Sequence, residues 1–213
     1  MNSTTPPTGD PSQAGGGTKA TIVQAALQTL KTRGFAGASA REIAKAGNFN
    51  QALIFYHFGS VQNVLLAVLD LVSTRRMSAY RPAFDAAGTV SELATLAGDI
   101  YRDDLENGYV TVLGEMVAGA VSDPELGREV VLRIQPWLEM VENKVQSLIA
   151  GSLFEPLIPS GDIAFAIVAL YLGVDMLGHL DQDHARAESL LKLVVRMAPL
   201  AQAVLPTRSQ ETR

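Results

Sequence analysis

The stretch Ser39–Phe58, SAREIAKAGNFNQALIFYHF, decides the fold. Ser39 followed three residues later by Glu42 has the form of a capping box, with the hydroxyl bonded to a backbone N–H and the carboxylate returned to the cap. Ile43 and Ala44 supply the inward face of a first short helix that ends near Ala46. Gly47-Asn48 come next, the two residue types that enter the left-handed region most readily and stop a helix sharply. Asn50 caps a second helix with Ile54 and Phe58 turned inward. Two short helices joined by a tight turn make a helix-turn-helix, whose second helix enters the major groove of DNA.

On that second helix the inward residues leave Gln51, Ala52, Phe55 and Tyr56 for DNA. Gln51 lies in the first turn, where its amide can pair bidentately with adenine, and Ala52 can touch a thymine methyl. Tyr56 and His57 suit phosphate or sugar, contacts that set register without reading sequence. Arg41 can reach a guanine edge or a phosphate, Lys45 adds charge, and Asn50 stands at the helix start. Ser39 caps a helix N-terminus suited to phosphate. Leu53 packs on a thymine methyl or back into the head. The bland alternative for all of these is an ordinary solvated helix face.

This stretch resembles the DNA-binding motif of the TetR (tetracycline-repressor-like) family of bacterial transcription regulators. Ser39, Arg41, Ile43, Ala44, Gly47-Asn48-Phe49-Asn50, Ile54, Phe55, His57, Phe58 and Ser60 follow the family pattern without insertion or deletion, and Gly34-Phe35 upstream matches the usual Gly-Phe. Three positions depart from it. Asn48 replaces the turn glycine, Phe55 stands where a tyrosine usually contacts phosphate, and Val61 stands where a lysine usually caps the motif. The resemblance implies a homodimeric repressor that binds a palindromic double-stranded DNA operator and is controlled by a small-molecule effector. It also implies that the last two helices form the dimer interface.

Charge is divided along the chain. The whole protein of 213 residues carries a formal charge of −5. Thr18–Gln62 has five lysines and arginines against Glu42 alone, whereas Asn63–Leu205 has 10 basic against 19 acidic residues. A basic head on an acidic body fits a DNA-binding domain carried by a domain of another kind. There are no cysteines, which excludes disulfides, thiolate nucleophiles and cysteine zinc sites and fits a reducing cytoplasm. The first residues lack the basic start and apolar run of a secretory signal.

Apolar periodicity predicts helices over Lys19–Arg33, Val61–Tyr80, Val90–Leu105, Tyr109–Val121, Pro124–Gly151, Asp162–Leu180 and Ala185–Val204. Gly34 ends the first of these and Pro82 marks the end of the second. Asp123-Pro124 is a start signal, and Pro136 should kink or divide the long helix. The expected fold is all-α, about nine helices. Residues 1–17 form a disordered arm, 18–62 the helix-turn-helix domain, 63–205 a ligand-binding and dimerisation domain, and 206–213 a disordered tail. The apolar run Ile163–Leu180 contains Asp175 and His179 and reads as a buried or subunit-interface helix, not a membrane span.

In the body, Tyr101, Tyr109, Glu115, Arg133 and Trp137 are candidate orienting groups for a largely apolar ligand pocket. His179, Asp181, Asp183 and His184 read as a polar interhelical loop, and no metal or other cofactor is expected. Asp175 and His179 fit an intrahelical pair. Asp103 and Asp104 are neighbours on a helix, which points them apart. No phosphate loop, serine elbow or HExxH stands in the sequence, so an enzyme is not expected. The competing reading is an all-α small-molecule-binding or scaffold protein that keeps the helix-turn-helix without a DNA function.

Overall fold

The structure is a computed structural model that describes residues 11–152, 155–157, 159–181, 184–203 and 205. Among them are nine helices and no strand: α1 Pro11–Gly37, α2 Ala40–Gly47, α3 Ala52–Phe58, α4 Val61–Ala86, α5 Val90–Asn107, α6 Tyr109–Ala120, α7 Pro124–Ile149, α8 Ser160–Asp181 and α9 Ala185–Ala203. The chain divides into two compact units, Met1–Leu69 and Asp70–Arg213.

In the first unit, Ile22, Ala26 and Leu30 on α1 are fully buried, as are Ile43 on α2, Ile54 on α3 and Val64 and Val68 on α4. The 3–4 spacing of these residues puts one face of each helix inward. Each large aliphatic side chain so buried contributes about 1.5–3 kcal/mol. Thr29, also buried, donates its hydroxyl to the Ala25 carbonyl at 2.8 Å and so brings no unsatisfied group into the core. Helix α1 begins at Pro11, earlier than the Lys19 start expected, so residues 11–17 are helical and not part of a disordered arm. Proline is tolerated in a first turn, and nothing crowds Gly16 or Gly17, so the extension follows from helix continuity alone. Residues 1–10 of the expected arm and 206–213 of the expected tail lie outside the described residues. The break expected at Gly34 is present: its φ is 68°.

The turn between α2 and α3 uses its two residues differently from each other. Asn48 takes the left-handed conformation, φ 51° and ψ 49°, and its N–H returns to the Ala44 and Lys45 carbonyls. Gly47 is needed for room. A Cβ there would lie 2.3 Å from Phe49 Cε1 and 2.8 Å from the Ala25 Cβ.

In the second unit, α7 packs along α8, α5 along α9, and α6 against both α7 and α8. Tyr101, Val112, Met116 and Leu126 are fully buried. Pro82 does not end α4, which continues to Ala86. One missing N–H is survivable near a helix end, and Lys144 Nζ donates to the final carbonyls, Asp85 at 3.0 Å and Ala87 at 2.9 Å. Thr89 and Glu92 then form a complete capping box for α5. Pro136 is exposed and does not divide α7. Helix α8 is not buried within the single chain: Phe165, Leu170 and Leu177 are 65, 53 and 67% exposed. Its segment Ser160–Gly178 has the length and apolarity of a membrane span, at a mean hydropathy of 1.6.

Gly47→Ala should lower stability by about 1–3 kcal/mol through overpacking against Phe49. Adding Phe49→Val, which returns the volume, should restore most of the loss. Urea midpoints of the two variants test this, and an unchanged midpoint in Gly47→Ala would remove the steric role assigned to the glycine.

Candidate nucleic-acid interface and a buried polar cluster

The expected DNA-facing residues occupy one exposed surface of α2 and α3. Gln51, Ala52, Phe55 and Tyr56 are all exposed, Tyr56 by 82%. Ile54 is fully buried, while Leu53, His57 and Phe58 are half-buried. The Tyr56 and His57 rings meet edge to face with centroids 4.9 Å apart, which holds both at the end of α3. Arg41, Lys45, Ser39 and Asn50 are exposed. Among the described residues neither Arg41 nor Lys45 is in an ion pair, so both charges stand open to a polyanion.

Two local bonds set the geometry of this surface. Asn50 Oδ1 accepts the Ala52 N–H at 2.9 Å, the capping role expected for it. Ser39 Oγ accepts the Glu42 N–H at 3.3 Å, which is half of the expected capping box. The other half is absent. The Ser39 N–H goes to the Gly37 carbonyl, and the Glu42 carboxylate instead pairs with Arg33 at 3.0 Å, tying α2 to α1. An ion pair outcompetes a bond to an N–H that is already satisfied. A residue not anticipated from sequence is Asn63. Its Nδ2 donates to the Phe58 carbonyl at 2.7 Å, and its N–H to Ser60 Oγ at 3.1 Å. It joins the end of α3 to the start of α4 where the motif's usual lysine is replaced by Val61. The pattern Ser60-x-x-Asn63 was the available signal.

The body candidates separate. Tyr101 is fully buried, with its Oη 3.4 Å from His184 Nδ1. Trp137 donates to Ser73 Oγ at 2.9 Å, and its ring lies 4.8 Å from the Arg76 guanidinium carbon. Arg133 is held in a half-exposed ion-pair network with Asp70 at 2.9 Å and Glu129 at 2.7 Å. Tyr109 and Glu115 are half-buried on α6. Of the expected polar loop, Asp183 and the side chains of His179 and Asp181 lie outside the described residues.

What the sequence reading missed is a polar cluster linking α4, α5 and α8. Asp104, 2% exposed, accepts from both Arg76 and Tyr171 on the same oxygen. Asp103, beside it, accepts from Tyr80. The two acids diverge as neighbours on a helix must, but both find partners. Tyr101 meets Tyr171 edge to face with centroids 6.2 Å apart. Asp175, 3% exposed, leaves Oδ1 without a partner among the described residues, and the expected pair with His179 falls on a side chain outside them. Burial pushes the Asp175 carboxyl up to about 7, with Asp104 adding to the rise and Arg76 opposing it. Burial likewise raises Asp104, against the pull of Arg76 and Tyr171. The Tyr171 hydroxyl is raised by burial first, then by Asp104.

An acid whose folded pKa lies above its unfolded value holds its proton longer in the folded chain. The stability tied to Asp175 is therefore complete below about pH 4 and is lost as pH rises through about 7. Asp175→Asn should be more stable than the parent at pH 8, on the order of 2–4 kcal/mol, with the gap closing toward pH 4. Urea midpoints of both proteins across that range read it out. A gap independent of pH would mean that Asp175 does not titrate there.

The comparisons with known proteins agree with this geometry. A sequence model described as bacterial regulatory proteins, tetR family, matches residues 22–68. No curated protein matches the chain. Among solved structures, the fatty acid degradation regulator FadR from Bacillus halodurans superposes with a TM-score of 0.72 at 17% identity, over 85% of this chain and 94% of that one. FadR from Bacillus subtilis in complex with stearoyl-CoA gives 0.69 at 13% identity, over 84% and 96%. A TetR transcriptional regulator from Chloroflexus aurantiacus J-10-FL gives 0.71 at 19% identity, over 92% and 100%. At these identities the likeness establishes the fold. Residues 22–68 thus match the tetR family of bacterial regulatory proteins, and the chain shares the fold of these solved structures.

Proposed function

We propose that this protein is a ligand-responsive transcription regulator, a repressor that binds a palindromic operator as a homodimer and leaves it when a small molecule binds the Asp70–Arg213 unit. The observation that carries this reading is the exposed surface of α2 and α3. There Gln51 and Ala52 stand at the start of α3, with Arg41, Lys45, Tyr56 and His57 around them. Gln51 reads adenine and Ala52 a thymine methyl, while the surrounding basic and hydroxyl groups hold phosphates. Two such surfaces address half-sites about 34–36 Å apart.

Dimerisation is favoured by the outward apolar residues of the last two helices. Phe165, Leu170 and Leu177 on α8, and Leu193, Met197 and Leu200 on α9, are 44–67% exposed. Apolar side chains gathered on two neighbouring helices are an interface, and a second copy is the self-complementary partner. The same reading takes α8 as a subunit face and not as a membrane span. Ligand control follows from the continuity of α4, which begins in the unit that carries α2 and α3 and runs into the next. An effector favouring one arrangement of α4 shifts the population away from DNA, by no more than its differential affinity. That a protein of this fold was solved with stearoyl-CoA supports a small-molecule role for the body.

Gln51→Ala and Arg41→Ala should each weaken duplex binding about ten-fold or more without altering the helical circular dichroism. Arg41→Ala should also flatten the salt dependence by about one unit of slope. Electrophoretic shifts on the DNA flanking the gene, or on selected random duplexes, measure both. A scaffold without DNA function would show neither effect. Leu170→Glu together with Leu177→Glu should convert the protein to monomer in sedimentation. A monomeric parent would remove the dimer from this reading.

A further inference from the structure

The buried cluster of α4, α5 and α8 is unbalanced in charge and incompletely bonded. Asp104 and Asp175 are 2% and 3% exposed, and Asp103 adjoins them, yet Arg76 is the one cation bonded to this group among the described residues. Among the described residues, Asp104 Oδ1, Asp175 Oδ1 and Arg76 Nε are all buried without a partner. Buried carboxylate oxygens without donors are costly, and a half-satisfied network is completed by whatever can supply the missing partners. What it lacks is positive charge and donors. The rings of Tyr101, Tyr171 and Trp137 stand around it, and aromatic faces attract cations.

Space is available next to it. A hollow of about 460 Å³ lies between α8 and α9, with Val174, Leu177, Gly178, Leu180, Ala187 and Leu190 in its walls. That volume falls in the range of small-molecule sites. Gly178 belongs to both regions. A Cβ on it would lie 3.0 Å from Tyr101 Oη and 3.0 Å from His184 Nδ1, so at Gly178 the backbone of α8 closely approaches the tyrosine that borders the cluster. Asp175 is one turn back along the same helix.

The geometry points to an organic cation as the ligand. We infer that the ammonium of a hydrophobic amine or quaternary ammonium seats on Asp104 and Asp175, with its apolar body in the hollow between α8 and α9. In taking Asp104, the cation displaces Arg76. Arg76 is on α4, so the exchange acts on the helix that leads to the DNA-binding unit. This names the effector class of the regulator proposed above and depends on that reading for its consequence, but not for binding. Arg186 also lines the hollow and is exposed, so an anionic amphiphile is the competing occupant.

Trp137 is the only tryptophan in the chain and stacks on Arg76, which makes its emission a reporter of the exchange. Full-length protein without DNA is titrated with 4-phenylbutylamine, 4-phenylbutanol and 4-phenylbutyrate, followed by Trp137 fluorescence and by calorimetry. The amine should bind saturably and change the emission, the alcohol should bind at least ten-fold more weakly, and the carboxylate should not bind. Asp175→Asn, whose fold is checked by its melting curve, should weaken amine binding at least ten-fold. Carboxylate binding equal to or tighter than the amine overturns the inference, as does equal binding of all three probes, amine binding unchanged in Asp175→Asn, or no heat and no emission change with the amine. A failed DNA shift with intact amine binding would sink the regulator and leave this site standing, and the reverse result would do the opposite.

Discussion

The absence of a side chain at Gly47 is the constraint on which the DNA-binding unit depends. With no Cβ there, the Phe49 ring and the Ala25 methyl both fill the space beside α2, and the chain can reverse within a few residues. Asn48 completes the reversal in the left-handed region, where asparagine is among the few tolerated side chains. From that turn follows the placement of α3. Ile54 goes into the core, and Gln51, Ala52, Phe55 and Tyr56 come out together on one surface. That exposed surface is thus a consequence of packing at the turn that precedes it.

A different constraint governs the Asp70–Arg213 unit. Its helices bury two aspartates in low-dielectric surroundings and bond one arginine and two tyrosines to Asp104 and its neighbour Asp103. Removing such charges from water costs several kcal/mol per ion unless they are paired. Asp104 recovers part of that through Arg76 and Tyr171, whereas burial pushes the Asp175 carboxyl up to about 7. An apolar residue at either position would pack at lower cost.

The outer faces of α8 and α9 carry the opposite imbalance, apolar side chains turned to solvent. A single chain has no means of burying them. With the hollow between the same two helices, the final hairpin has both an uncovered apolar face and a cavity wall.

Much of the fold was legible in the amino-acid order because its determinants are local. The 3–4 spacing of Ile22, Ala26 and Leu30, the Thr89 capping box, Asp123-Pro124 and the Gly47-Asn48 turn each act within a few residues. The helices among the described residues and the exposed surface of α3 follow from them. The departures have causes outside the local sequence. Pro82 signals a helix end unless something outside the helix holds its last carbonyls, and Lys144, more than fifty residues away, does so. Glu42 is a capping acid unless an arginine on another helix claims it, and Arg33 does. The convergence of Arg76, Asp104, Tyr171 and Asp175 had no sequence signature at all, since 28 residues separate the first pair and 67 the next. Sequence by itself determined which segments coil and where they stop, because hydrogen bonds and caps reach only one turn along the chain. Tertiary structure alone decided which charges share a buried volume and which apolar faces stay outside, because those depend on how whole helices lie against one another.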